Sequence, residues 1–292
     1  ANSGNSASPL ASNPRWDALR QELRAKYEKV LAIPGQRLRF VTELLRFMES
    51  EAGGFDEELA RAFLTDLFPG QVDGLLDTLK GFVAYRDWME SERELLATLD
   101  AEERSQRIWD KRRELFGADA EQIWIAEVRS AQVLERMTVI DQQPGTVATK
   151  AALYADALRE TYGEQSARMM ENHRQELTDR FVALPSVQAQ LASLPVLERR
   201  QAMRDMRSTL GMDEAALERW DELDQTRDGR WEAGQAYQAA REELPATLSA
   251  DEREKAMQEL RRQYLGDEAD TVAGEEQAGY FRFKEPRVFG IN

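Results

Sequence analysis

The apolar positions of the first hundred residues recur at three- and four-residue intervals. Trp16, Leu19, Leu23 and Tyr27 share one helical face, and the chain then breaks at "IPG", residues 33–35. A second amphipathic run carries Leu38, Val41, Leu44, Leu45 and Met48 and stops at "AGG", residues 52–54. A third, with Leu59, Phe63 and Leu67, ends before "FPG"; a fourth, from Gln71, holds Val72, Leu75, Leu76, Leu79, Phe82, Val83 and Trp88. The spacing predicts four short helices that enclose a small core of their own.

Beyond residue 98 the helices become longer and more polar, and they repeat. "LDAEERSQRIWDKRRELFG" and "LSADEREKAMQELRRQYLG" align over nearly their whole length, and "LPVLERRQAMRDMRSTLG" follows with one residue fewer. Each ends in Arg, two spacers, a large apolar residue and Gly, as does "RETYG" at 159–163, so Gly117, Gly163, Gly211 and Gly266 recur at intervals of 46, 48 and 55 residues. Asp100 and Ser249 are candidate N-caps with Glu103 and Glu252 three residues on, and Pro195 suits a first helical turn. The glycines read as helix stops in a left-handed conformation, with each Arg in a last turn facing exposed carbonyls. Further helical sequence follows each stop, which predicts helix pairs in tandem and an extended, curved array with large exposed faces.

Composition agrees with an all-α chain. Only 8% of the 292 residues are aromatic, 32% are charged, and no long run shows strand alternation. The net charge of −15 argues against binding a phosphate backbone. The arginines, interleaved with acids, read as a solvated helix face. There is no Cys, which removes disulfides and thiolate chemistry, and no run approaches the ~20 apolar residues needed to span a bilayer. Residues 1–14, "ANSGNSASPLASNP", read as a disordered polar linker, such as follows a signal peptide or a membrane anchor.

Nothing points to catalysis, a metal or a cofactor. Neither "GxGxxG" nor "GxxxxGK[ST]" occurs, and "GxSxG" is absent. The single histidine, His173, has neither a second His nor a Cys to share a zinc ion, and reads as a helix-surface or packing residue. Met169, Met170, Met203 and Met206 suit core packing better than an adaptable binding surface. The last stretch, "EEQAGYFRFKEPRVFGIN", gathers Tyr280, Phe281, Phe283 and Phe289 among basic residues, and either docks back on the protein or meets a partner.

The chain resembles the lipase-specific foldases, or lipase chaperones, of Gram-negative bacteria. The likeness rests on "LLDTLKGFVAYRDW" (75–88), "RRELFGADAEQIWIAEVRSAQVLERMTVI" (112–140) and "RWEAGQAYQAAREELPATLSADEREKAMQELRRQYLG" (230–266) in that order, within residues 37 to 278. It implies two small helical domains joined by an extended helical arm, tethered to the inner membrane, wrapping a secreted lipase in the periplasm without catalytic chemistry. On that plan the linker at 1–14 is followed by an N-terminal helical mini-domain at 15–98, the arm at 99–216 and a C-terminal mini-domain with the aromatic tail at 217–292.

The family signature, Arg, two residues, Phe-Asp-Tyr and a Leu-Ser-Ala run, has its counterpart in "RLRFVTELLRF". Arg37, Phe40 and Leu44 fit its Arg, Phe and Leu, whereas Val41, Thr42 and Leu45 replace Asp, Tyr and Ser. The expected partner is a secreted lipase or related hydrolase, held one to one. Arg37, Phe40 and Leu44, with the aromatic anchors Trp124, Trp231 and Tyr237, are the candidate contacts. A helical scaffold that holds its partner permanently is the alternative.

Overall fold

The computed structural model describes residues 14–291, and the linker expected over 1–14 lies, except for Pro14, outside them. The chain is all-α, with no strand among the described residues. It divides into two compact units, one ending at Val128 and the other starting at Arg129.

In the first unit, α1 (Pro14–Tyr27), α2 (Pro34–Ala52), α3 (Glu57–Leu67) and α4 (Val72–Ser91) are the four helices that the apolar spacing predicts. Pro34 starts α2, where a missing N–H costs nothing, and the Asp56 side chain caps α3 by accepting from the Leu59 N–H. Their apolar faces close one core around Leu23, Tyr27, Phe40, Leu44, Met48, Phe63 and Leu79, each essentially without exposure. Burying one such Phe or Leu side chain contributes about 1.5 to 3 kcal/mol. The short α5 (Arg93–Thr98) leads to α6 (Ala101–Phe116) and α7 (Ala120–Ile123), which pack on α4 and α2.

The second unit begins within α8 (Ile125–Gln142) and continues through α9 (Val147–Tyr162), α10 (Ser166–Val182), α11 (Pro185–Ser193) and α12 (Val196–Thr209). These enclose a second core that includes Tyr154, Leu158, Phe181, Leu191, Met203 and Met206, so both of these methionines pack inside. The long α13 (Glu214–Glu242) follows, then α14 (Ala250–Leu265) and α15 (Ala269–Gln277), with a smaller cluster of Tyr237, Met257, Val272 and Phe283 between them. Ser249 and Glu252 form the expected capping box of α14.

The repeated glycines correct one expectation. Gly117, Gly163 and Gly266 do have φ near +53°, but ψ lies between −121° and −132°, outside the left-handed helical region. Each N–H donates to the carbonyl of the Arg four residues earlier, and a short 3₁₀ turn then launches the next helix at once. The motif is therefore a helix–corner–helix unit rather than a simple stop, in a conformation only Gly adopts without strain. Gly211, with φ of +90°, instead follows a conventional end in which the Met212 N–H reaches the Arg207 carbonyl.

The aromatic tail docks back. Phe283 lies so close to Gly234 that a Cβ there would stand 2.1 Å from its ring. Phe289 is buried in the second core, with both its N–H and its carbonyl held by the Gln188 side chain at 2.9 Å.

Candidate protein-binding site

Arg37 projects from the first turns of α2. Its Nε donates to the Leu31 carbonyl and its Nη1 pairs with Asp119, both at 3.3 Å. The guanidinium lines a cleft of about 240 Å³ with Pro34, Asp77, Thr78, Phe116 and Asp119, and keeps about a quarter of its side chain exposed. It is thus oriented by two bonds yet reachable. Three residues further along α2, Phe40 is enclosed, edge-on to Tyr27 and Phe68 with ring centres 5.6 Å apart, and Leu44 is fully buried beside it. Neither presents surface in this conformation. Val41 and Leu45 are buried too, so the apolar residues that replace the signature's Asp and Ser suit a face where an unpaired polar group would be costly.

Trp124 sits at the corner between α7 and α8, partly exposed, within 5.2 to 6.5 Å of the Phe116, Tyr85 and Trp109 rings. The Arg112 guanidinium lies over this group, 4.3 Å from the Trp124 ring centre. It donates twice to the Glu127 carboxylate, at 2.7 and 3.1 Å, and once to the Tyr85 hydroxyl at 3.1 Å.

The other end of the chain repeats this arrangement. Arg112 and Glu127 stand five residues before and ten after Gly117; Arg261 and Glu276 hold the same places around Gly266. Arg261 donates to Glu276 at 2.9 and 3.1 Å, the Tyr237 hydroxyl donates to the same carboxylate at 3.0 Å, and Arg241 adds a bond at 2.8 Å. Tyr237 is wholly buried, and that burial, reinforced by the Glu276 charge, pushes its phenol up to about 12. Trp231, one and a half turns earlier on α13, keeps some exposure and stands edge-on to Phe283, 5.6 Å away. Around Gly163 the equivalent places hold the buried Leu158 and His173, so no ion pair is needed; His173 is solvent-exposed at a kink in α10, beside Glu176.

The solvated-face reading of the arginines fails at these positions. Arg112, Arg199, Arg207 and Arg261 are buried, each paired with a carboxylate. The recurrence of Arg and Glu at fixed distances from the first and last repeat glycines was the available signal for two of them.

A family model for the proteobacterial lipase chaperone protein matches residues 79–269. The chain belongs to this family. Lipase chaperones assist the folding of lipases, so membership makes this chain a lipase-folding chaperone in that general sense, and the family is one of chaperones rather than of enzymes. The matched segment contains Trp124, Trp231 and Tyr237, the Arg112–Glu127 corner and Arg261 of the other; Glu276 follows it, and Arg37, Phe40 and Leu44 precede it. No curated protein and no solved structure matches the chain. Among the described residues no helix is long and apolar enough to cross a membrane, and no group of acids and His could hold a metal ion.

Proposed function

We propose that this lipase chaperone is a steric foldase that wraps one copy of a secreted lipase or related hydrolase in the periplasm, tethered to the inner membrane. Binding a near-native client lowers the barrier to its last folding step, with no chemistry performed on it. The observation that carries this reading is the family match over 79–269. Exposed Leu134, Val139 and Leu153 on α8 and α9 are apolar surface that a client could cover.

In this reading Arg37, Trp124 and Trp231 touch the client, because each combines a fixed position with accessible surface. Phe40 and Leu44 hold the helix that presents Arg37, and Tyr237 braces the helix that presents Trp231. The test is refolding of a denatured secreted lipase or esterase from the same organism, with and without a stoichiometric amount of the chaperone, followed by activity. Activity should appear only with the chaperone, and Arg37→Ala, verified as folded, should reduce the recovery about tenfold or more. No gain from the folded wild-type chain would replace this reading by that of a permanent scaffold.

A further inference from the structure

The C-terminal tail runs along α13 in the opposite direction to the helix. Phe283 seats at Gly234, where its ring leaves no room for a Cβ, and the Gln235 side-chain amide donates to the Phe283 carbonyl at 2.9 Å. Further along the tail, Arg287 pairs with Asp228 at 2.6 Å, and Phe289 then enters the second core. Tail residues Phe283 and Arg287 thus meet helix residues Gly234 and Asp228 in antiparallel order. Asp228, Trp231 and Gly234 follow one another at intervals of three residues and share one face of α13. Trp231 therefore lies between the two attachments, edge-on to Phe283 at 5.6 Å and with the Arg287 guanidinium 5.8 Å from its ring centre.

The attachment is made at a cost to the helix. Gly is, after Pro, the poorest residue for a helix interior, and Gly234 lies inside the 29-residue α13. The close approach of Phe283 is what requires it. The two aromatic ends of the tail sit in different cores: Phe283 with Tyr237, Met257 and Val272, and Phe289 in the second core, its N–H and carbonyl both on the Gln188 amide. A segment fixed beyond Trp231 in both directions restrains the ring and the stretch of helix that carries it. Trp231 nevertheless keeps part of its surface exposed. An aromatic ring already held by its neighbours loses little conformational freedom when a partner covers it.

We propose that the tail is a positioning strap for Trp231, in which Phe283 and Arg287 fix the ring that meets the client. This rests on the reading of Trp231 as a client contact; Phe283 and Arg287 act through Trp231 as positioning residues.

Fluorine NMR of the whole chain labelled with fluorotryptophan gives one resonance per tryptophan, and that of Trp231 is the one lost in Trp231→Phe. Gly234→Ala evicts the Phe283 ring while placing a better helix former in α13, and Phe283→Ala removes the ring without a clash. In both variants the Trp231 resonance should narrow and move toward the value of the free amino acid. Recovery of the denatured lipase or esterase in the refolding assay should fall about fivefold, with helical circular dichroism native. Because Ala at position 234 favours the helix, that loss is not a loss of α13. If Phe283→Ala loses helicity, Gly234→Ala decides alone. A Trp231 resonance unchanged in a folded variant would overturn the proposal, and so would full recovery of the lipase with the resonance moved. A wild-type chain that refolds no lipase would remove Trp231 as a client contact altogether, a result distinct from a failed strap, which shows only as a difference between the variants and an active wild type.

Discussion

The two Arg–Glu corners allow burial to be tested as the determinant of ion-pair strength, because the same residues occupy the same repeat positions in different surroundings. Glu276 retains 6% of its side-chain exposure and serves Arg241, Arg261 and the Tyr237 hydroxyl at once. Glu276→Ala leaves the guanidinium of Arg261 and the phenol of Tyr237 without that carboxylate in a dry interior. Breaking a buried pair costs about 3 to 5 kcal/mol, and the remaining bond from Arg261 to Glu254 places this case near the lower bound, at about 3 kcal/mol. Glu127 keeps 56% of its side chain exposed, so water takes over its place beside Arg112, and Glu127→Ala should cost no more than about 1 kcal/mol.

The expected gap of about 2 kcal/mol corresponds to roughly a thirtyfold difference in opening equilibrium. Hydrogen exchange read by mass spectrometry resolves the two corners separately, over 101–142 and 250–277, so unequal stability of the units does not blur the comparison. Tyr237→Phe in the Glu276→Ala background should add little, because the carboxylate that orients the phenol has already gone. Equal losses at the two corners would refute the argument that burial sets the strength of these pairs.

Two further outcomes follow from single buried groups. Tyr154 is fully enclosed, stacked on Phe181, and its hydroxyl has no hydrogen-bond partner, so Tyr154→Phe should be neutral or stabilise the fold by up to about 1 kcal/mol in urea denaturation; a loss of more than that would reveal a partner for the hydroxyl. Burial alone would raise the Asp228 pKa, but hydrogen bonds from Arg200 and Arg287 and the Arg199 charge outweigh it and hold the carboxyl below its ordinary value. Its stabilising contribution is therefore complete above the unfolded carboxylate pKa of about 4 and disappears as pH falls through the lower folded-state value. The urea midpoint should drop more steeply below pH ~4 in the wild type than in Asp228→Asn, and parallel curves would remove Asp228 from the acid response.

Apolar spacing was sufficient for the N-terminal core. Val41, Leu44, Phe63 and Leu79 were legible as one face each of α2, α3 and α4, because local periodicity and burial coincide when a helix packs on its sequence neighbours; Phe40, read as a client contact, lies in the same core. The repeat glycines were legible as helix ends for the same local reason. Their actual ψ was not, since positive φ alone admits more than one exit path for the chain.

The sequence by itself determined the helical class, the repeat and the kinship with lipase chaperones. All three are carried by residues near one another along the chain. Tertiary structure decided which charges are buried: Arg112 reads like Arg113 beside it, yet one is enclosed among Tyr85, Trp109 and Trp124 while the other stays at the surface. It also brought Arg287 of the tail to Asp228 of α13 and settled the fate of Phe283 and Phe289. A charge is enclosed only when segments distant in sequence close over it and supply its counter-charge, and no local pattern records that event.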